Sequence, residues 1–231
     1  MTGEIELWLP FTGLWLARNS PARRVPSHGT DLMGGRYAID FIGVDHRRRT
    51  AGRRDWRTLL ATEPPERYFA YGRPILAPAA GTVVDVHDGE IDHVGRRSQL
   101  SLVPYALGQA ARLRQGVRAI AGNYVIIALP GGAFVALVHL RAGSVRVAIG
   151  DEVTTGQPLG ACGNSGNSTQ PHVHVQVMDN LDLSIARGLP MVFRRFREWP
   201  RGGKQPQDRE LGLPGEEAVV EPLASGVDGG P

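Results

Sequence analysis

Polar and apolar positions alternate from Glu4 to Leu9, and Leu14-Trp15-Leu16 follows a Thr-Gly turn, so the chain is expected to open on a β-hairpin. Asn19-Ser20-Pro21 and Pro26-Ser27 then mark a loop that carries His28-Gly29-Thr30. Gly34-Gly35 turns into Tyr37 to Ile42, an apolar strand with Asp40 in its middle. An acid there is costly unless it is paired or holds a metal. Further strands are read over Pro74 to Val86 (broken by a Pro-Ala-Ala-Gly turn), Asn123 to Leu129, Ala133 to Leu140, Val145 to Ile149, Pro158 to Ala161 and His172 to Met178. Pro130-Gly131-Gly132 joins two of them as a hairpin signal. Val103, Ala106, Leu107, Ala110 and Leu113 have helical spacing instead, and predict a short helix inserted between strands. The expected class is mainly β with one or two short helices.

Composition narrows this little. With 231 residues, 42% hydrophobic and 21% charged, the chain can bury a real core in one sizeable domain. Its 30 glycines and 17 prolines favour short strands and turns over long helices. A net charge of +3 makes no demand for a nucleic-acid partner and suits an anionic polymer such as a cell wall. The arginines between His46 and Arg57 read as a solvated surface loop. Cys162 stands alone among small and apolar neighbours, so there is no internal disulfide and a packed strand thiol is expected. No stretch approaches a transmembrane span, and Glu4, Glu6 and Pro10 spoil a secretory signal, leaving the export route open. From Pro200 the chain is rich in Gly, Pro, Glu and Asp with little apolar periodicity, so residues 200–231 are expected to be a disordered tail. Residues 1–25 are then a hairpin extension and 26–199 the functional domain.

The chemistry gathers in GNSGNSTQPHVHVQV, residues 163–177, where His172 and His174 share one face of a strand. Both rings can reach one point in space, as a metal ligand beside a second imidazole would. Asp40 on its strand and His139 at the end of another complete a set suited to activating water.

This segment, with VALVHL, GSVRVAIGDEVTTGQPLG and APAAGTVV, closely resembles the M23 family of zinc metallopeptidases, the lysostaphin or LytM-like endopeptidases. The resemblance covers roughly Pro26 to Asp179. It implies an antiparallel β-sheet groove or barrel-like domain, a zinc cofactor, an extracytoplasmic location, and hydrolysis of peptide cross-links or stems in peptidoglycan; a monomer is expected. It makes His174 and Asp40 zinc ligands, and His139 and His172 the histidines that assist water and transition state. One position departs from the family. The histidine usually found four residues before the aspartate is replaced by Arg36, whose guanidinium cannot ligate zinc. His28, on a Gly-bearing loop that can fold back beside the strand, is taken as the third ligand.

Two other readings compete. A degenerate, non-catalytic module of this fold would bind wall peptides or a partner protein. APAAGTVV and GDEVTTGQPLG also look like the halves of a biotinyl or lipoyl carrier, but that chemistry needs a lysine at a hairpin tip, and the single lysine is Lys204.

Overall fold

The computed structural model describes residues 3–52, 62–96, 117–203 and 205–223, and these are mainly β. The strands in chain order are β1 (Ile5–Trp8), β2 (Trp15–Arg18), β3 (Ile39–Gly43), β4 (Pro74–Leu76), β5 (Gly81–His87), β6 (Asn123–Ala128) and β7 (Phe134–Leu140). They continue with β8 (Glu152–Val153), β9 (Pro158–Ala161), β10 (Val173–Met178), β11 (Met191–Trp199), β12 (Gln207–Gly212) and β13 (Val219–Pro222). Eleven of them make one sheet in the order β1-β11-β13-β2-β3-β10-β7-β6-β5-β8, with β12 on β11, while β4 and β9 pair separately. Helix among the described residues is limited to α1 (Val117–Ala121) and 3-10 turns at Leu32–Tyr37 and Pro65–Arg67. The expected helix over 102–113 lies outside the described residues, as do Arg53, Arg54 and Arg57 of the basic loop.

Period-2 alternation divides the sheet into two faces. Ile39, Phe41, Val125, Ile127, Val135, Leu137, Val173, Val175 and Val177 go to the main core, where Phe11 stacks on Trp15 at 4.5 Å and Phe41 meets Phe193 edge-on at 5.5 Å. The residues between them on β3, β10, β7 and β6 face the other way. There Tyr124, Ile126, Ala136, Val138 and Met178 form a smaller apolar floor, and Asp40, His174 and Gln176 share it.

The two ends of the chain differ from expectation. β1 pairs in parallel with β11 rather than with β2, and this is the one parallel pairing among the described residues. Alternation shows that a strand is half-buried, not which partner it takes; here the segment between β1 and β2 buries Leu9 and Phe11 instead of making a tight turn. Residues 205–223 are not a disordered tail. β12 pairs with β11, and β13 lies between β11 and β2. Ala218, Val219 and Val220 are buried in that position, a short apolar patch that the polar average of the segment conceals. Lys204 and residues 224–231 lie outside the described residues. Val145 to Ile149 is not a strand either; Arg146 N–H donates to the Leu159 carbonyl at 2.9 Å without a continuing ladder.

Candidate metal centre

β3 and β10 are antiparallel neighbours with His174 in register with Asp40. Cross-strand partners carry their side chains on the same face, and His174 Nδ1 lies 2.8 Å from Asp40 Oδ1. His28 reaches the same carboxylate from a loop. Ser27 N–H donates to the Arg36 carbonyl at 3.0 Å, folding residues 27–36 back onto the strand entrance, and His28 Nε2 comes to 3.1 Å from Asp40 Oδ2. One ligand atom each from His28, Asp40 and His174 lie within 4.8 Å of one another. Two imidazole nitrogens and one carboxylate oxygen suit a zinc site with three protein ligands and an open fourth position. The Arg36 side chain takes no part: its guanidinium bonds Asp31 Oδ1 at 2.7 Å on the surface.

His172 stands just before β10, with Nε2 3.7 Å from Asp40 Oδ1. Its Nδ1–H donates to the Gln170 carbonyl at 2.8 Å, with Ser168 Oγ at 3.0 Å, so the lone pair belongs to the nitrogen facing the site. His139 arrives by a different device. Strict alternation along β7 would send it to the core with Val135 and Leu137. Between the register pairs Asn123↔Leu140 and Tyr124↔Val138, however, His139 has no partner on β6. It occupies this bulge at φ 66, a left-handed conformation unusual for a non-glycine residue. The bulge turns its ring to the site face, where it lies 4.7 Å from the His172 ring and 6.1 Å from the His174 ring between centroids. His139 Nδ1–H donates to the Ser165 carbonyl at 2.9 Å.

Electrostatics separate these groups. Burial opposes ionisation of Asp40, but the charge of His172 and hydrogen bonds from His174 and His28 outweigh it and hold the carboxyl well below the usual range. Burial pushes His139 well below the ordinary imidazole value, and His172 and His174 push it the same way. Burial also lowers His172. It acts on His174 too, but the hydrogen bond to the Asp40 carboxylate and its charge raise that group instead.

The supporting residues were not visible in the sequence. Asn19 Nδ2 donates to Asp40 Oδ2 at 2.7 Å, and Ser27 Oγ lies 3.0 Å from His28 Nδ1. Ser165 Oγ donates to the Leu140 carbonyl at 2.7 Å and accepts from Asn123 N–H at 3.0 Å, which fixes the carbonyl that His139 uses. Gly122 and Gly166 pack so closely that a Cβ on Gly122 would meet Ser165 Oγ at 2.4 Å; the Gly/Asn/Ser lead-in is a packing requirement. A pocket of about 100 Å³ opens beside the set, lined by His139, His174, Met33, Tyr124, Ile126 and Val138 among others. His46, His87 and His93 do not join the cluster. The buried Cys162 thiol is pushed upward by burial, consistent with a packed residue.

Among the described residues no helix is long and apolar enough to cross a membrane. No curated protein matches the chain. Solved structures similar to it include the catalytic domain of the antimicrobial peptidase lysostaphin from Staphylococcus simulans, at 18% identity over 69% of this chain and 86% of that one, TM-score 0.38. The M23 metalloprotease pseudoalterin from the deep sea is 14% identical over 82% of this chain and 76% of that one, TM-score 0.41. A zinc-containing peptidase from Vibrio cholerae is 19% identical over 61% of this chain and 46% of that one, TM-score 0.32. The model of peptidase family M23 matches residues 105–184, a stretch that begins after His28 and Asp40. His139, His172 and His174 all lie within the stretch that the peptidase family M23 model matches.

Proposed function

We propose that the protein is a zinc-dependent endopeptidase hydrolysing peptide bonds in the cross-links or stem peptides of peptidoglycan. The observation that carries this reading is the convergence of His28, Asp40 and His174 beside two further imidazoles on one face of the sheet. Bound by those three residues, zinc would supply a Lewis acid and a water acidic enough to attack near neutral pH. The chain's own groups do the rest. Asp40 stays ionised at neutral pH, as a ligand must. His139 and His172 have Nδ1 committed to carbonyls, so each turns an unprotonated Nε2 toward the site. Their lowered basicity keeps them neutral and able to accept a proton from attacking water. Once protonated, either can stabilise the oxyanion or return the proton to the leaving amine. The family match supports a peptide bond as substrate, and the resemblance of residues 163–177 to lysostaphin-like endopeptidases supports a wall peptide.

A non-catalytic module that binds wall peptides or a partner protein is the second reading, favoured by Arg36 in the place of the family's usual histidine. Metal analysis of the purified protein, then incubation with isolated peptidoglycan and synthetic stem peptides with and without chelator, separates the two. The enzyme releases new amino termini only in the absence of chelator. Zinc-loaded protein that binds wall and releases none from any substrate decides for the module.

A further inference from the structure

His174 turns only Nδ1 toward Asp40; its other nitrogen, Nε2, lies 3.1 Å from Gln176 Oε1. Gln176 is two residues along β10 on the same face and only 8% exposed. Its amide orientation is set from the far side, where Nε2 donates to the Met33 carbonyl at 2.8 Å. A carbonyl can only accept, so the atom left facing His174 is the amide oxygen, which also only accepts. The proton on that side therefore belongs to His174 Nε2, and Nδ1, whose own proton bonds Asp40 here, is the nitrogen that would give its lone pair to a metal once that proton is displaced.

The far end of this contact is equally specific. Met33 sits in the segment that joins His28 to Asp40, at φ 56, followed by Gly34 at φ 74. A Cβ on Gly34 would meet Met178 Cβ at 2.9 Å, so this backbone lies directly on β10. Gln176 thus touches one candidate ligand with its oxygen and the loop between the other two with its nitrogen.

We propose that Gln176 is a positioning residue of the metal centre, fixing His174 in the Nε2-protonated form and anchoring at Met33 the loop that carries His28. The proposal rests on the zinc reading above. Its two contacts can be separated by substitution. Gln176→Glu keeps an acceptor for His174 but has no N–H for Met33, whereas Gln176→Met fills similar space and offers neither.

The test is zinc affinity of the full chain by chelator competition, with 15N spectra of the imidazole rings in the zinc-loaded proteins. Gln176→Met should weaken zinc binding about 10–100-fold, and Gln176→Glu should recover most of that loss. The parent and Gln176→Glu should show a His174 Nε2–H protected from exchange, and Gln176→Met should not. Equal affinity in all three proteins overturns the proposal, and an equal loss in both variants overturns its tautomer half, because the Met33 anchor alone would then account for it. If Gln176→Met does not fold, the Gln176→Glu spectrum decides: loss of the protected Nε2–H overturns the tautomer role. A parent that binds no zinc overturns the metal reading and this inference together; the other failures touch only Gln176.

Discussion

His174 and Asp40 are register partners across β10 and β3, and that pairing alone brings an imidazole nitrogen to 2.8 Å of a carboxylate oxygen. A one-residue slip of either strand would send one of them to the core face, so the apolar alternation that buries Ile39, Phe41, Val173 and Val175 also aligns the site. The third member depends instead on a loop closed by Ser27 and Arg36 backbone groups.

Two kinds of support should give the same loss when their side chains are removed. His28→Ala is expected to lose bound zinc about as severely as His174→Ala, and Asp40→Ala to lose both zinc and activity. Arg36→Ala should retain zinc, since that guanidinium bonds Asp31 at the surface. Metal content after dialysis measures all four. Full zinc in His28→Ala would remove that residue from the ligand set.

His139 and His172 should fail differently. Neither is in the group whose ligand atoms converge within 4.8 Å, so His139→Ala and His172→Ala are expected to keep zinc and lose about 10²–10⁴-fold in kcat, the usual range for a general acid or base. Loss of zinc in parallel with rate would instead make them ligands.

How much of this the sequence shows depends on whether local pattern or remote pairing is involved. The strand pair flanking Pro130-Gly131-Gly132 and the His-x-His geometry follow from period-2 alternation and turn chemistry, and the described structure has β6, β7 and β10 there. Three other features depend on distant partners. The bulge at His139 is set by register against β6 and leaves only an ordinary Val-His-Leu in the sequence. β11 reads as charged because Arg194, Arg195 and Arg197 interrupt its buried Phe193 and Phe196. β13 is four residues long, and only its place between β2 and β11 makes it a strand. Gln176, Ser165 and Asn19 are common polar residues whose importance appears only with their partners in place.

Acid should destabilise the metal-free protein through its buried neutral imidazoles. His139 is held well below the ordinary imidazole value when folded, first by burial, but titrates near about 6.5 when unfolded. As pH falls below that value the unfolded state takes up a proton the folded state refuses, so stability declines. Asp40, depressed in the fold, adds a second loss at lower pH, as it falls through the folded value. His174, raised in the fold, acts oppositely: its contribution is fully present below about 6.5 and fades as pH rises through its folded value. Urea midpoints in chelator at pH 7 and pH 5 should therefore fall on acidification, and His139→Gln should shrink that fall. An unchanged difference in the variant would place the titration elsewhere.

The C-terminal strands should be part of the stability of the whole sheet. β13 is an interior strand, with Val220 fully buried and Val219 2% exposed between β2 and β11. Truncation after Trp199 would remove both valines and leave β2 and β11 with unpaired edges, a route to association between chains. It would also strip Glu198, 4% exposed, of Arg209 Nε at 3.1 Å and Gly215 N–H at 2.8 Å. A buried carboxylate deprived of its partners is strongly unfavourable. The truncated chain is expected to be insoluble or to melt many degrees lower. Val220→Ala offers a milder version, with the strand kept and two methyl groups lost. It should cost roughly 1–3 kcal/mol, read as a lower urea midpoint at unchanged slope. Zinc content should stay intact, because β13 reaches the metal centre only through β2 and β3. A truncated chain as stable as the parent would mean that β12 and β13 contribute nothing to the sheet they join.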